Sequence, residues 1–273
     1  MNYDELLEEA RADQRELVSV EHLGDRAIVR MSDETNLNAL SAPLTLQLQG
    51  ALAELTADPD LRSIVLTGQD PGFSAGGDIE LMRSVHGVID EGSEGTTMAW
   101  RWIRNQFGGV VRTIVRTDKA FIAAVNGPAA GVGLAFALAC DIILASDRAR
   151  IVPAFMKIGL LPEVGTSWLL TRRIGYQRTF ELFAGGRHLT GEEAAQLGIA
   201  NAVVPHDELL EEALRWCDRI SELPRHALLM TKPLLRQAAD MTWDQALAME
   251  EFAEPNCFTT ADHREAVRSF LSR

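Results

Sequence analysis

Two glycine-rich turns hold the residues of this sequence that could do chemistry through their backbone. The first turn spans residues 126–133 and contains three glycines and one proline. It follows a strand-length apolar run at 120–125 and precedes a buried helical run at 134–139. Because the first four N–H groups of a helix lack partners inside it, the order strand, turn, helix predicts donors aimed at an anion, or at an oxygen that becomes one.

Three other interpretations of the first turn stay open at this point. The apolar run 127–146, with its GxxxG spacing, is also typical of a membrane helix, although Pro128 and Asp141 disfavour one. A dinucleotide-binding fingerprint would need a third glycine where Phe136 stands. The glycines could also serve only the close packing of a helix.

The second turn has the same layout. A strand-length apolar run at 63–67 ends in a glycine turn at 68–72 and a bend of small residues at 73–78. A helix is predicted from Ile79 onward, with Asp78 as its cap. Two such turns from separate parts of one chain can supply two convergent N–H donors, as an oxyanion hole requires.

In combination, these motifs closely resemble those of the enoyl-CoA hydratase/isomerase (crotonase) superfamily. The segments that carry the resemblance are FSAGGDI at 73–79, NGPAAGVGLAFALACDIILAS at 126–146, LNAL at 37–40, LTGEEAAQLGIANAVVP at 189–205 and EAVRSFLSR at 265–273. The resemblance covers about residues 16–273. It implies an α/β fold, a crotonase-like spiral of ββα units with a C-terminal helical region, assembled as a homotrimer or hexamer.

The resemblance also implies a substrate class and two donors. Members bind acyl-CoA thioesters and hold the thioester oxygen with two backbone N–H groups while an enolate forms. Carried onto this sequence, the donors are Gly77 and Val132, and Val132 stands where most members have glycine. A branched side chain at that position must point away from the ligand.

Further substrate contacts are implied by the same resemblance, from residues around the donors, from the LNAL segment and from the C-terminal helix. The predicted contacts are Asn38, Ala39, Leu40, Ser74, Ala75, Gly76, Asp78, Ile79, Gly131, Phe155 and Phe270. Phe270 and Arg273 match positions that help hold the adenine and phosphate of CoA in relatives.

The predicted base is Glu163. Hydratase members use two glutamates to hold and split a water, and Ala135 and Phe155 stand at those two positions. Glu163, in the segment LLPEVG, matches the single acid of enoyl-CoA isomerases and of relatives that act on ring-derived CoA esters. Its apolar neighbours would raise its pKa into the working range of a base. The alternative is an exposed glutamate at a helix N-terminus, favoured by the helix dipole.

The predicted activity is therefore a 1,3-proton transfer that shifts the double bond of an enoyl-CoA, with no cofactor beyond the CoA of the substrate. Two alternatives stay open. One is an enoyl-CoA hydratase that uses Glu163 or a non-standard water arrangement, and the other is a CoA-ester-binding protein without catalysis. An RNA-binding relative is disfavoured by the acidic charge.

Composition agrees with a globular, cytoplasmic enzyme. The 273 residues are 47% hydrophobic and 24% charged, and the net charge of −13 argues against a nucleic-acid partner. The three cysteines are far apart, which favours reduced thiols in a cytosolic protein over a metal site. No membrane association and no metal are expected.

The remaining elements follow from periodicity and caps. A hairpin is predicted at 17–31, helices at 41–55 and 98–117, and a capping box at Thr190 and Glu193 that starts a helix. Residues 4–16 have helical spacing with little apolar face, which predicts an exposed helix or a frayed arm. From residue 207 onward only helices are predicted. The expected division is an N-terminal arm at 1–15, an α/β core at 16–206 and a helical region at 207–273.

Overall fold

A six-stranded sheet forms the centre of the protein, whose computed structural model describes residues 2–91 and 96–272. The strands are β1 (Val18–Leu23), β2 (Arg26–Met31), β3 (Ser63–Gly68), β4 (Ala120–Val125), β5 (Pro128–Ala130), β6 (Ile142–Ser146), β7 (Arg150–Val152), β8 (Leu189–Thr190) and β9 (Ala202–Val204). The main sheet has the order β1-β2-β3-β4-β6-β9, and the strands β5-β7-β8 form a smaller second sheet.

The main sheet is antiparallel only between β1 and β2, which form the predicted hairpin, and its other pairs are parallel. Every residue of β3 and β4 is buried. Strands covered on both faces are expected to be largely apolar. The polar side chains of these two strands are Ser63 and Thr67, and Thr67 donates to the Ala124 carbonyl of β4 at 2.8 Å. Their carboxyl ends lead directly into the two glycine-rich turns, so the sheet brings both turns to one edge.

Helices cover both faces of the main sheet and continue beyond it. They are α1 (Tyr3–Ala12), α2 (Ala42–Ala57), α3 (Ile79–Glu91), α4 (Thr97–Arg101), α5 (Gly108–Arg116), α6 (Gly131–Ala139), α7 (Thr166–Ile174), α8 (Tyr176–Gly185), α9 (Gly191–Gln196), α10 (Leu209–Ser221), α11 (Arg225–Ala238), α12 (Trp243–Phe258) and α13 (Ala261–Leu271). A π-helix, Trp102–Phe107, joins α4 to α5, where the sequence predicted one continuous helix.

The larger hydrophobic core lies on one face of the sheet and includes α2, α5 and α6. A smaller core on the other face is built from residues such as Val65 and Ile122 of the sheet and Leu209, Ala213 and Cys217 of α10. Helix α10 thus packs directly against the sheet, while α11, α12 and α13 follow it. The predicted capping box is present, because Thr190 accepts from the Glu193 N–H at the start of α9.

Helix α1 differs from the predicted exposed or frayed arm. Tyr3, Leu6, Leu7 and Ala10 are buried in the larger core, and α1 packs against α2. These residues recur at the spacing of one helical face. The prediction was wrong because it placed the start of the helix after Tyr3, which removed one member of that face.

The first glycine-rich turn also differs from its prediction. Residues 128–130 form strand β5, which pairs with β7, and α6 begins at Gly131 rather than at 134. The apolar run 127–146 is therefore divided among β5, α6 and β6, and it is not one helix. Within the described residues, no helix has both the length and the apolar character needed to cross a membrane.

Candidate active site

Asn38 fixes the loop that follows β3. The residue is fully buried, and its Oδ1 accepts from the Asp33 N–H at 2.8 Å. Its Nδ2 donates to the carbonyl oxygens of Gln69 and Gly72, each at 2.8 Å. Asn38 was predicted as a substrate contact, and its side chain is instead committed to holding this loop.

The hydrogen bonds of the loop leave the Gly77 N–H free. Phe73 and Ser74 donate to the Pro128 carbonyl, and Ala75 donates to the Leu37 carbonyl at 2.9 Å. Gly76 donates to Ser74 Oγ at 3.1 Å. Within residues 2–91 and 96–272, the Gly77 N–H has no such acceptor. It is the first unused donor of the segment and is available to a ligand.

The side chains around this donor support the loop rather than line open space. Ser74 is fully buried, and its Oγ donates to the Asn38 carbonyl at 2.8 Å. Ala39 and Leu40 are buried as well, and the Leu40 N–H donates to the Gly76 carbonyl at 2.7 Å. The LNAL segment therefore acts on the site by holding the backbone of the Gly77 loop.

The second predicted donor lies at the start of α6. Gly131 and Val132 are the first two residues of that helix, so their N–H groups have no carbonyl partner inside it. The Val132 side chain is buried in the larger core. The branched side chain thus occupies the core, as the sequence required, and leaves the backbone N–H of α6 as the group that a ligand can meet.

The two turns touch at the residues that precede the two donors. A Cβ placed on Gly76 would lie 2.7 Å from the Ala130 carbonyl oxygen and 3.6 Å from the Gly131 Cα. A Cβ on Gly133 would lie 2.6 Å from the Ser74 Cβ. The turns can approach this closely only because glycine stands at both positions. Gly77 and Val132 each follow a residue of this contact.

Glu163 is a half-buried acid just ahead of α7. Its Oε2 is inaccessible to water and has no hydrogen-bond partner within the described part of the chain. Burial raises the pKa of the Glu163 carboxyl from its ordinary value of 4.5 to about 7. The alternative of a fully exposed glutamate at a helix N-terminus is therefore wrong. A carboxyl group with this pKa can accept and return a proton near neutral pH.

The backbone around Glu163 is sharply bent. Val164 and Gly165 have left-handed φ values of 47° and 89°, and the Glu163 carbonyl accepts from both the N–H and the Oγ1 of Thr166. Val164 packs against the larger core. A β-branched residue in the left-handed region is strained, and such strain is common near functional sites.

Helices α6 and α7 pack together and have nine residues each. Near their C-terminal ends, Arg173 of α7 donates to the Leu138 carbonyl of α6 at 2.8 Å. The C-terminal ends of the two helices therefore lie close together. The segment that leads to Glu163 starts beside α6, because the Phe155 ring lies about 4.0 Å from a Cβ placed on Gly131.

Comparison with known proteins identifies the family. The profile of the enoyl-CoA hydratase/isomerase family matches residues 26–273, nearly the whole chain. The chain belongs to this family. The predicted superfamily and its α/β crotonase fold are confirmed, and the protein is an enzyme of a family that acts on acyl-CoA thioesters.

Relatives of this family member have names for more than one reaction. A probable enoyl-CoA hydratase of Rhizobium meliloti is 31% identical over 258 residues, which cover 94% of this chain and 96% of that protein. A 4-chlorobenzoyl coenzyme A dehalogenase of an Arthrobacter species is 31% identical over 85% of this chain and 82% of its own. The crystal structure of a putative enoyl-CoA hydratase from Streptomyces coelicolor matches with a TM-score of 0.86, at 28% identity over 96% of this chain and 93% of that one.

In this family member, the two residues that the resemblance placed at the hydratase glutamate positions are apolar and buried. Ala135 lies in α6 with no exposed surface. Phe155 is 2% exposed and packs against Phe183, with ring centroids 6.2 Å apart. Neither side chain can hold a water or transfer a proton.

Three further residues that were predicted as substrate contacts are Asp78, Ile79 and Phe270. Asp78 caps α3 as predicted, accepting from the Leu81 N–H at 2.9 Å, and it also accepts from Asn36 Nδ2 at 2.6 Å. Ile79 is 65% exposed. Phe270 is 79% exposed on α13, which packs against α12. Arg273 lies outside the described residues.

Proposed function

We propose that this enzyme is an enoyl-CoA isomerase that shifts a double bond by a 1,3-proton transfer. Gly77 and Val132 hold the thioester oxygen, and Glu163 carries the proton. The substrate's own CoA is the only cofactor in this proposal, and the active form is a cytoplasmic homotrimer or hexamer, as the family resemblance implies. The buried Glu163 carboxyl, whose pKa is raised to about 7, is the observation that carries the proposal.

The reaction begins with the Glu163 carboxylate and a 3-enoyl-CoA. The carboxylate takes a proton from C2, and the electron pair of the C–H bond moves into the conjugated system, so that the thioester oxygen becomes anionic. The protonated Glu163 then gives the same proton to C4. The double bond now joins C2 and C3, the thioester carbonyl is restored, and Glu163 is again a carboxylate.

The two backbone donors lower the barrier at the anionic stage. Each donor forms a stronger hydrogen bond with the dienolate oxygen than with the neutral thioester, so the stabilisation acts mainly on the transition state. Loss of one oxyanion-hole donor typically costs about 2.7–4 kcal/mol. Among the residues that the structure describes, neither the Gly77 N–H nor the Val132 N–H has an acceptor, which supports this role, because neither donor must first break such a bond.

The course of the chain ahead of α7 supports Glu163 as the partner of these donors. The segment that leads to Glu163 and α7 begins beside the first residue of α6, because the Phe155 ring lies about 4.0 Å from a Cβ placed on Gly131. Glu163 Oε2 has no hydrogen-bond partner among residues 2–91 and 96–272, which supports proton transfer to carbon, since an already bonded carboxylate would be a weaker base.

Hydration of 2-enoyl-CoA is the second candidate, and the names of the relatives favour it. Hydration needs one group to take a proton from water and another to deliver a proton to the α-carbon. Glu163 alone would have to serve both steps, since Ala135 and Phe155 cannot titrate. We therefore rank isomerisation first.

A panel of 3-enoyl-CoA and 2-enoyl-CoA esters tests the proposal. Isomerisation converts the 3-enoyl ester into a conjugated product of the same mass, which gains ultraviolet absorbance. Hydration instead removes the conjugated absorbance of the 2-enoyl ester and adds the mass of one water. Turnover of 2-enoyl-CoA to the heavier product as the main reaction would replace isomerase by hydratase, and binding without turnover of any ester would leave a CoA-ester-binding protein.

A further inference from the structure

Helix α6 has no means of holding itself in place through its own polar side chains. All nine of its residues are apolar or glycine, and all are buried. Its N-terminal N–H groups are the ones proposed to meet the substrate, so they cannot be used as anchors. The free carbonyl groups at its other end need donors from elsewhere in the chain.

Two arginines supply those donors. Arg173 donates to the Leu138 carbonyl at 2.8 Å, and Arg236 of α11 donates to the Ala139 carbonyl at 2.6 Å through its Nη2. Positive charge is favourable at the C-terminal end of a helix because the aligned peptide dipoles leave partial negative charge there. The end of α6 is therefore held by cations from two other helices.

Asp141 connects these groups to the sheet. Its Oδ1 accepts from Arg236 Nη2 at 2.6 Å, and its Oδ2 accepts from Lys232 Nζ and from the Phe121 N–H, each at 2.8 Å. Phe121 belongs to β4. In the sequence, Asp141 was noted only as a charge that disfavours a membrane helix. In the structure, its carboxylate joins the end of α6, strand β4 and helix α11.

Lys232 completes the cluster in a buried position. It is 7% exposed and also donates to the Ile114 and Lys119 carbonyls, at 3.0 and 2.6 Å. Burial lowers the pKa of the Lys232 ammonium, while the Asp141 carboxylate favours its charged form. Without Asp141, two buried or half-buried cations would lose their counter-charge, so the cluster would rearrange rather than lose a single bond.

We propose that Asp141 is a positioning residue for catalysis, which together with Lys232 and Arg236 fixes the C-terminal end of α6 and so holds the Val132 N–H at the thioester oxygen. The inference rests on the proposed role of Val132 as an oxyanion donor. A nine-residue helix is only roughly 13 Å long, so a displacement at one end is carried to the other. Because misplacement by about 1 Å can cost on the order of a hundredfold in rate, the donor is sensitive to such a displacement.

The test is Asp141→Asn, which keeps the shape of the side chain and removes its charge. We expect kcat to fall on the order of tenfold to a hundredfold, while KM and the directly measured Kd for crotonyl-CoA stay within about threefold, since both report binding that the ground state already makes. The infrared stretching frequency of the thioester carbonyl of bound crotonyl-CoA gives the specific readout. We expect it to lie below its value in water for the wild type and to move back toward that value in the variant.

Two further changes keep the test decisive if Asp141→Asn does not fold. Arg236→Met removes the donor to α6, and Arg236→Lys retains a cation there, so we expect the lysine variant to recover part of the kcat that the methionine variant loses. The matched control is Asp240→Asn, which removes the 2.6 Å pair with Arg172 that links α7 to the end of α11 without contacting α6. The control should leave kcat and the carbonyl frequency unchanged.

The outcomes separate this inference from the proposed function. If the wild type does not lower the carbonyl frequency of the bound thioester, the proposed oxyanion hole is wrong. If it does, and Asp141→Asn and Arg236→Met fold with an unshifted carbonyl frequency and wild-type kcat, the positioning role is wrong. A fall in kcat that matches a loss of folded protein, with the carbonyl frequency unchanged, also overturns it.

Discussion

The buried Glu163 carboxyl predicts that the enzyme becomes less stable as the pH rises, and that Glu163→Gln removes this loss. The folded state raises the pKa of this group from 4.5 to about 7, so between these values the folded protein holds a proton that the unfolded chain has released. The contribution of Glu163 to the free energy of unfolding is therefore fully present below the pKa of this group in the unfolded chain. It is lost as the pH rises through the pKa of the same group in the folded protein.

The magnitude follows from the shift. At 1.36 kcal/mol per pKa unit, the shift of the Glu163 pKa from 4.5 to about 7 corresponds to roughly 3 kcal/mol of the free energy of unfolding. The isoelectric point near 4.9 makes measurements at acid pH prone to precipitation. Over the practical range from about pH 5.5 to about pH 8.5, the linkage relation gives a loss of about 2 kcal/mol from this group. Glutamine cannot titrate, so the variant lacks this loss.

The assay is urea unfolding of wild type and Glu163→Gln at one protein concentration, since association would make apparent stability concentration-dependent. We expect the variant to gain about 2 kcal/mol relative to wild type between the lower and the upper pH. Glu181→Gln, an exposed change on α8, is the control and should show no such trend. A difference between wild type and Glu163→Gln that stays constant across the range would refute the burial argument.

Three further predictions concern the proposed chemistry and the contact between the two turns. The value of kcat/KM should rise with pH with an inflection near 7, the pKa of free Glu163, and a profile that is flat through neutrality would exclude this residue as the base. Gly77→Pro should lower kcat by about 10²–10³-fold because proline has no N–H donor. Gly77→Ala keeps that donor and should retain most of the activity. Equal activity in folded samples of the two variants would show that the Gly77 N–H does not contribute to the site. Gly133→Ala would place a methyl group 2.6 Å from the Ser74 Cβ and should therefore lower the melting temperature and the activity. The control is Gly50→Ala in α2, where the added methyl group meets nothing within 4 Å and should stabilise the protein by up to about 1 kcal/mol. A Gly133→Ala protein with unchanged melting temperature and activity would show that the two turns tolerate separation.

Local sequence signals predicted much of the fold because the relevant interactions are local. The hairpin of β1 and β2 and the capping box at Thr190 and Glu193 involve residues close in the chain, and both are present. The start of α6 at Gly131 follows strand β5, which pairs with β7, and the π-helix at 102–107 is hydrogen-bonded to Gln49 and Tyr3, residues far away in the chain. A turn and a helical first residue look alike in sequence when glycine allows both.

The candidate site likewise contains residues that the sequence predicted and residues whose roles it could not predict. Gly77, Val132 and Glu163 were predicted from the family resemblance, which rests on their positions in the motifs. Asn38 and Asp141 could not be given their structural roles, because hydrogen bonds to Gly72 and Lys232 link residues far apart in the chain. A buried polar residue within an apolar or small-residue segment is the signal that could have indicated such roles.

The apolar character of α6 has a consequence for how this family diverges. The helix contributes a backbone group to the proposed site and no reactive side chain, so replacement of Val132 by other apolar residues changes packing but leaves the donor in place. The proposed base, Glu163, belongs to a separate segment ahead of α7. Under the proposed function, the reaction type depends on a few side chains while the two donors belong to the backbone. The relatives with about 31% identity carry the names of both a hydratase and a dehalogenase.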